Sequence, residues 1–513
     1  MSLVRSAATV GGTTMVSRVL GFVRDMMVAA VLGTGPVADA FFVAFRFPNM
    51  FRSIFAEGAF NSAFVPLFSK HLEGDGEAAA RRFAEDALAL LLSALLVMTI
   101  LAMILMPWII SGFAPGFSDD PGKQEMAVKF TRIAFPYLLF ISLTALQAGI
   151  LNSVGRFFPG AAAPVMLNIT LILAILFLVP VLDNPGLALS WGVMAAGIVQ
   201  FLWLTVSCWR AGYVLRLHRP RLTPDMRKLV RLGVPGIISG GIMQINLTVG
   251  TIIASLQADA VSWLYYADRI YQLPLAVIGI AIGVVLLPDL SRRLRADDEA
   301  GAHWAQNRAL EVSMLLTVPA AVALMVIPHA IIQVLFERGA FQPSDTQNAS
   351  LALLVYAAGL PAFVLNKVFS PGFFAREDTM TPLRYAAISV AVNIVASITL
   401  FQFYAFAGIA AGTTIAAWVN AALLGTTLAR RGGFVPDTQV VKRLPLILVA
   451  SAAMGACLWY GALYAAPYFE GTFLESVAAL AALIAGGLIA YAGLAQATGA
   501  VSVATLRRSF MRK

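Results

Sequence analysis

Runs of about 20 apolar residues, the length needed to cross a bilayer as a helix, recur along the whole chain. They predict fourteen spans, at 8–34, 37–68, 84–112, 124–153, 160–181, 186–211, 228–256, 260–291, 306–334, 347–371, 380–404, 407–429, 442–466 and 474–498. Short polar connections separate them. No sheet is expected, because backbone groups in hydrocarbon must bond within a helix or a closed barrel, and these runs are too long for barrel strands. The pattern predicts an all-α polytopic membrane protein.

Composition agrees with the pattern. Of the 513 residues, 59% are hydrophobic and only 12% are charged, against about 25% charged in soluble domains. The net charge of +9 raises nucleic acid as a partner. Position argues against it, since the basic residues sit in short loops where they set topology. With both termini placed in the cytoplasm, 26 of the 36 Lys and Arg residues face inward. The opposite loops hold Lys123, Lys129, Arg132 and Arg338 and are otherwise acidic. An odd number of spans breaks this alternation. Cys208 and Cys457 both lie in apolar spans and suggest neither a disulfide framework nor a metal site. The opening MSLVRSAATVGGTTM is too weakly apolar for a cleavable signal.

The chain repeats internally. A shift of 223 residues lays DAFFVAFR (39–46) on SWLYYADR (262–269), so that Arg46 meets Arg269. A shift of 220 lays Gln147–Arg156 on Lys367–Arg376. Two near-equal offsets in the correct order describe a parallel repeat of about six spans, with lobes related by an axis along the membrane normal. The organisation follows as an N-lobe at 1–211, a cytoplasmic linker at 212–227, a C-lobe at 228–431 and an appended helix pair at 432–513. The basic stretch 210–231 carries Leu, Val and Tyr among its arginines. It reads either as a segment lying on anionic headgroups or as a solvated linker held inside by charge.

Six basic residues fall within spans: Arg18, Arg24, Arg46, Arg52, Arg269 and Lys367. A charge at membrane depth costs about 2.5–3.5 kcal/mol on insertion scales, so such residues persist where they face protein or water and bind something. Residues 7, 11 or 18 apart share a helix face. Arg18 thus aligns with Asp25, and Asp39 with Arg46 and Glu57, while Arg24 and Arg52 lie off those lines. Pro48 can bend the second span and change what Arg52 faces. Mutual neutralisation by ion pairs is the structural alternative, strongest for Asp25, Asp39 and Asp268. It does not cover the whole set, because Arg18, Arg24, Arg46 and Arg52 outnumber Asp25, Asp39 and Glu57, and Arg269 adds a further base. The arginine fork matches phosphate oxygens bidentately. A diphosphate supplies the missing negative charge, and the expectation is a cationic cavity shared across the lobes.

Other polar residues carry less. Gln244 and Asn246 read as polar glue between helices. Lys367 either joins the cavity or reaches for the interface. Glu377 and Asp378 read as loop carboxylates ahead of a coupling-cation site, and Asp297, Asp298 and Glu299 as a solvated run. His71, His218, His303 and His329 lie at span ends without metal spacing. No phosphate-binding loop, catalytic triad or paired-carboxylate motif is present in the sequence, so neither catalysis nor a cofactor is expected.

Four segments carry a resemblance. SRVLGFVRD (17–25), DAFFVAFRFPNMFRSIFAEGAFNSAFVPLF (39–68), WLYYADRIYQLP (263–274) with GVVLLPDLS (283–291), and PGFFARED (371–378) are similar to the MurJ/MviN family of bacterial lipid II flippases, within the multidrug/oligosaccharidyl-lipid/polysaccharide exporter superfamily. The likeness runs over the whole chain. It implies two six-helix lobes around a V-shaped cavity, plus two helices forming a groove for a lipid tail. It implies alternating access that carries lipid II, the undecaprenyl-diphosphate precursor of peptidoglycan, across the bacterial inner membrane. Membrane lipids and cell-wall synthesis enzymes are further partners on this reading. The positions matching the family's cavity arginines are Arg18, Arg24, Arg52 and Arg269, with Lys367 at a cavity lysine. Asp39 and Glu57 match gating positions, Asp25 adjoins Arg24, Asp268 adjoins Arg269, and Arg46 ranks lower. Membrane potential or a monovalent cation is the implied energy source. The alternatives are an exporter of the same fold for another lipid-linked oligosaccharide or a drug, and a non-transporting scaffold. A drug-cation pocket calls for acids and aromatics instead of arginines, and a scaffold has no need of buried bases.

Overall fold

The computed structural model describes residues 3–53 and 60–500. Among the described residues every regular element is helical. The helices are α1 (Leu3–Leu32), α2 (Pro36–Arg52), α3 (Phe60–Gly74), α4 (Glu77–Phe113), α5 (Pro121–Ala134), α6 (Tyr137–Ser153), α7 (Phe158–Phe177), α8 (Pro185–Arg210) and α9 (Pro224–Ser255). They continue with α10 (Ala260–Arg295), α11 (Glu299–Val326), α12 (Pro328–Phe336), α13 (Pro343–Phe374), α14 (Met380–Tyr404), α15 (Phe406–Arg430), α16 (Thr438–Phe469) and α17 (Phe473–Ala497). A 3-10 turn, Pro115–Asp119, joins α4 to α5.

Local chemistry sets the ends. Asp120 accepts from the backbone N–H of Lys123, Asn184 from Gly186 and Leu187, and Thr223 from Met226. Thr472 and Glu475 cap α17 reciprocally. These side chains occupy donors that a helix start otherwise leaves unsatisfied. Proline lacks that donor, and it sits at the start of α2, α5, α7, α8, α9, α12 and α13.

Ten membrane-length apolar segments are present among the described residues, with α5 and α6 counted as one. They coincide with ten of the fourteen expected spans. The other four are the first, second, seventh and eighth, and three of these carry the charges Arg18, Arg24, Asp25, Asp39, Arg46, Arg52, Asp268 and Arg269. Their helices α1, α9 and α10 are 30, 32 and 36 residues long, ample for a core that about 20 residues cross. Three expected spans differ in detail. The second is described as α2 and α3, and residues 54–59, with Glu57, lie outside the described residues. The fourth turns at Phe135 and Pro136 between α5 and α6, and the ninth ends at Val326 before Pro328 opens α12. In both cases a proline removes a backbone donor from the helix ladder.

The chain forms two compact units. The first is residues 1–262 with Gly339–Phe341, and the second is residues 263–338 with 342–513. In the first, α7 packs on α1 and α8, and α3 packs on α4, α6 and α9. Phe64, Phe68, Phe83, Leu146, Leu204 and Met226 fill its core. The connection after α8 is not helical. Gly212 takes φ +89°, Tyr213 enters that core, and the Arg216 N–H bonds Glu85 Oε1 at 3.0 Å. In the second unit α15 packs on α13 and α14, and α11 on α13 and α16. The pair α16–α17 is tied to α11 and α12, with Tyr491 Oη donating to the Leu315 carbonyl at 2.8 Å.

Small residues let α14 and α15 approach closely. Gly408 and Gly412 are one turn apart on α15, the small-xxx-small spacing of membrane helix pairs. A Cβ at Gly412 meets Ser397 Oγ at 2.3 Å and the Ser397 backbone N at 2.7 Å. Gly486 on α17 meets nothing within 4 Å. Gly412→Leu is therefore expected to separate the pair and cost about 1–3 kcal/mol, the range for overpacking. Gly486→Ala is expected to be neutral, and thermal melts of the purified protein compare the two.

Candidate functional site

Two clusters of buried charge organise the first unit. On α1, Arg24 is 8% exposed and Asp25 is 5% exposed. Arg24 Nη2 and Nε donate to Asp25 Oδ1 at 2.7 and 3.1 Å, and Nη1 donates to Asn168 Oδ1 at 2.8 Å. Asn168, on α7, donates in turn to the Ser17 carbonyl at 2.8 Å. Gly21 faces the same amide, and a Cβ there would rest on its nitrogen at 3.4 Å, an ordinary contact. The face of α1 made by Ser17, Gly21 and Arg24 thus docks on α7 through one asparagine. Phe45 lies under the guanidinium at 6.0 Å. Arg18 is exposed and has no polar partner among the described residues.

The second cluster centres on Asp39, which is 0% exposed. Oδ2 accepts from Lys123 Nζ at 2.6 Å and from the Asp259 N–H at 3.0 Å. Oδ1 accepts from the Ser262 N–H at 2.9 Å and from the Ser262 hydroxyl. Four donors match the lone pairs of one carboxylate. Lys123 is itself buried at the start of α5, with the Phe117 ring 4.4 Å from its ammonium. Seven residues along α2, Arg46 donates to Thr251 Oγ1 at 2.7 Å. Asp39 and Arg46 therefore both face residues 251–262, as their spacing requires. Arg52 bonds Asn49 Oδ1 on its own helix at 2.7 Å.

In the second unit, Arg269 lies over the Tyr265 ring at 4.6 Å, and Asp268 accepts from Gln272. Lys367 is exposed on α13, and its chain crosses Gly279 so closely that a Cβ there meets Nζ at 2.6 Å. Asp378 accepts from the Thr381 N–H at 2.9 Å and hydroxyl at 2.6 Å, and pairs with Arg431 at 2.7 Å. It is a loop carboxylate that secures the start of α14. Among the described residues no group of His, Cys, Asp and Glu has the arrangement of a metal site.

Sequence reasoning missed Lys123, Asn168, Thr251 and Ser262. Lys123 reads as an external loop charge, and nothing in the sequence links it to a carboxylate 84 positions away. Asn168 does carry a signal, being a lone amide in the apolar run PVMLNITLIL (164–173). Ser262 is the position that the 223-residue offset aligns with Asp39, and the two are bonded to each other.

Ten membrane-length apolar segments define a multi-pass membrane protein, and the fold is one that a solved transporter shares. A multidrug-resistance transporter of the MATE family and MOP superfamily, solved inward-facing, matches with a TM-score of 0.69 at 15% identity, covering 83% of this chain and 98% of that one. At that identity the likeness concerns the fold alone. The chain belongs to the lipid II flippase MurJ family, whose model matches residues 28–479. A lipid II flippase MurJ solved in an inward closed conformation matches with a TM-score of 0.79 at 26% identity, covering 95% of this chain and 98% of that one. The probable lipid II flippase MurJ of Rhizobium meliloti (strain 1021) is 48% identical, over 100% of this chain and 97% of its own length. That of Vibrio cholerae is 38% identical, over 89% of each.

Removing one partner of a buried ion pair strands the other charge, at about 3–5 kcal/mol. Lys123→Met is expected to lower thermal stability by that order, and Asp39→Asn with Lys123→Met to recover most of the loss. Equal melts for the single and double variants contradict the pairing. At Asp378, the Thr381 hydroxyl and N–H, with Arg431, lower the carboxyl from 3.8 to about 2. A depressed carboxyl contributes stability that is present above its unfolded value and lost as pH falls through the folded one. Protection of the amides at the start of α14, taken relative to their intrinsic exchange at each pH, is therefore expected to hold down to about pH 4 and to fall as pH approaches 2.

Proposed function

We propose that this chain flips lipid II from the cytoplasmic to the periplasmic leaflet of the bacterial inner membrane by alternating access, with both termini in the cytoplasm. The diphosphate binds Arg18, Arg24, Arg52, Arg269 and Lys367. The polyprenyl tail lies along α16 and α17. Asp25, Asp39, Arg46, Glu57 and Asp268 serve in gating or in charge pairing, and membrane potential or a monovalent cation gradient drives the cycle.

The observation that carries this reading is how acids and bases are engaged in the first unit. Asp25 is bonded to Arg24 and Asp39 to Lys123. Arg18 stays exposed on an apolar helix, with no polar partner among the described residues. An arginine kept so is stabilised when an anion arrives, and a diphosphate presents oxygens that match its fork. Family membership supports lipid II as the anion's source.

Liposomes with labelled lipid II, scored by protection of the headgroup from external reagents, test the reading. A charge-assisted hydrogen bond contributes about 1.5–3 kcal/mol, so Arg18→Ala and Arg24→Lys are each expected to slow flipping about tenfold or more. Arg384→Lys, exposed on α14, is expected to leave the rate unchanged. Wild-type rates in both site variants overturn the arginine assignment. Failure of the wild-type protein to protect lipid II overturns the function itself.

A further inference from the structure

An apolar cavity of about 210 Å³ opens in the first unit where α3, α4 and α9 meet. Phe60, Ala63, Ala87, Leu91, Leu229 and Val234 line it, and among the described residues no charged one does. A cavity of this kind stays dry and favours an apolar occupant. Val230 and Val234 stand exposed on its rim. Along α9, Arg227, Val230, Arg231 and Val234 fall on one face at the three- and four-residue spacing. The basic pair therefore sits at the end of the cavity nearest the start of α9.

The three helices place the same end together. His71, in the last turn of α3, lies 3.4 Å from Asp225 in the first turn of α9, and α4 starts from the same hairpin. Lys70, Arg227, Lys228 and Arg231 are exposed, and among the described residues none has a polar partner. Most of the nearby acids are engaged: Asp75 and Asp225 lie against His71, Glu77 against Arg81, Asp86 against His218, and Glu85 accepts from the Arg216 N–H, while Glu73 is exposed with no partner among the described residues. Leu217 and Leu222 stand exposed on the segment before α9. Unpartnered cations next to a dry apolar slot complement a molecule with an anionic head and a hydrocarbon chain.

We propose that this cavity holds one acyl chain of an anionic membrane phospholipid whose phosphate rests on Arg227, Lys228 and Arg231. The proposal is independent of the substrate reading. It concerns a resident lipid on one unit and involves none of the residues assigned to lipid II.

The test uses the full chain in phosphatidylcholine nanodiscs. These are doped with phosphatidylglycerol or phosphatidylcholine carrying a diazirine in the acyl chain, and photolabelled sites are mapped by peptide mass. Each basic residue near an anionic headgroup contributes about fivefold in affinity. Phosphatidylglycerol is therefore expected to label 87–94 and 229–234 at least about fivefold above phosphatidylcholine. Arg227→Gln with Arg231→Gln is expected to remove most of that excess, bringing phosphatidylglycerol labelling close to the phosphatidylcholine level without changing phosphatidylcholine labelling. Ala87→Leu, which fills the slot, is expected to remove label from both segments. Equal labelling by the two lipids, label confined to other helices, or crosslinks to a second copy of the chain overturn the proposal. The charge variant lies on the surface, so it decides the question even if the cavity variant folds poorly.

Discussion

Asp39 has none of its surface exposed, in a chain that is 59% hydrophobic. A carboxylate so placed is tolerated only when its lone pairs are filled, because an unpaired buried charge costs several kcal/mol. Filling them imposes geometry on three separate parts of the chain. Lys123 must come inward at the start of α5, which the Asp120 cap and the Pro121 start allow. Residues 259–262 must aim two backbone N–H groups and a hydroxyl at one point. Asp259 accordingly takes φ +63°, a region that Asp enters more readily than most residues. The hydrogen bond from its own N–H to Asp39 helps hold it there. One buried acid thus fixes where α2, α5 and the turn before α10 stand together.

The α1 cluster answers the same constraint differently. Arg24 and Asp25 are sequence neighbours, so their pairing needs no fold to bring them together. Asn168 adds the long-range element, bonding both the guanidinium and the Ser17 backbone of α1. An amide can do both, since it carries a donor and an acceptor. The carboxylate faces its own arginine, and Arg18, seven residues back, is left outside that pairing. A helix built this way is neutral where it packs on α7 and cationic where it does not.

Much of this was legible in the sequence. Apolar length alone predicts the helices from α4 to α8 and from α13 to α17, because the bilayer sets one dominant period and length. The seven-residue spacing of Asp39 and Arg46 predicts their common face, and both meet residues 251–262. Partners were not legible. Lys123 is 84 residues from Asp39, and a loop lysine in a positive-inside count looks like any other. Charge patterns encode which residues need partners, whereas partner identity depends on tertiary contact. Helix breaks were partly legible, since Pro136 and Pro328 mark where the fourth and ninth spans divide, yet Pro48 and Pro66 lie inside helices. Proline removes a donor in each case, and whether the helix stops depends on what else can satisfy the freed carbonyl.

The second unit shows the constraint from its polar side. Glu311 on α11 is buried, and Arg308 and Arg443 both donate to it. Arg308 also reaches Asp437, whose carboxylate caps α16 through the Val440 N–H at 2.7 Å. Asn307 bonds the Val435 carbonyl at 2.8 Å and receives the Asp437 N–H at 3.1 Å. Two acids and two bases make this network neutral, and each member has its partner within the unit. The contrast with Arg18 is informative. Where the chain needs a fixed join, between α11 and the entry to α16, it balances charge fully. Where it exposes an arginine on an apolar helix without a partner, the imbalance is local to α1. The join between α11 and α16 is balanced within itself, whereas Arg18 stands outside any pairing among the described residues.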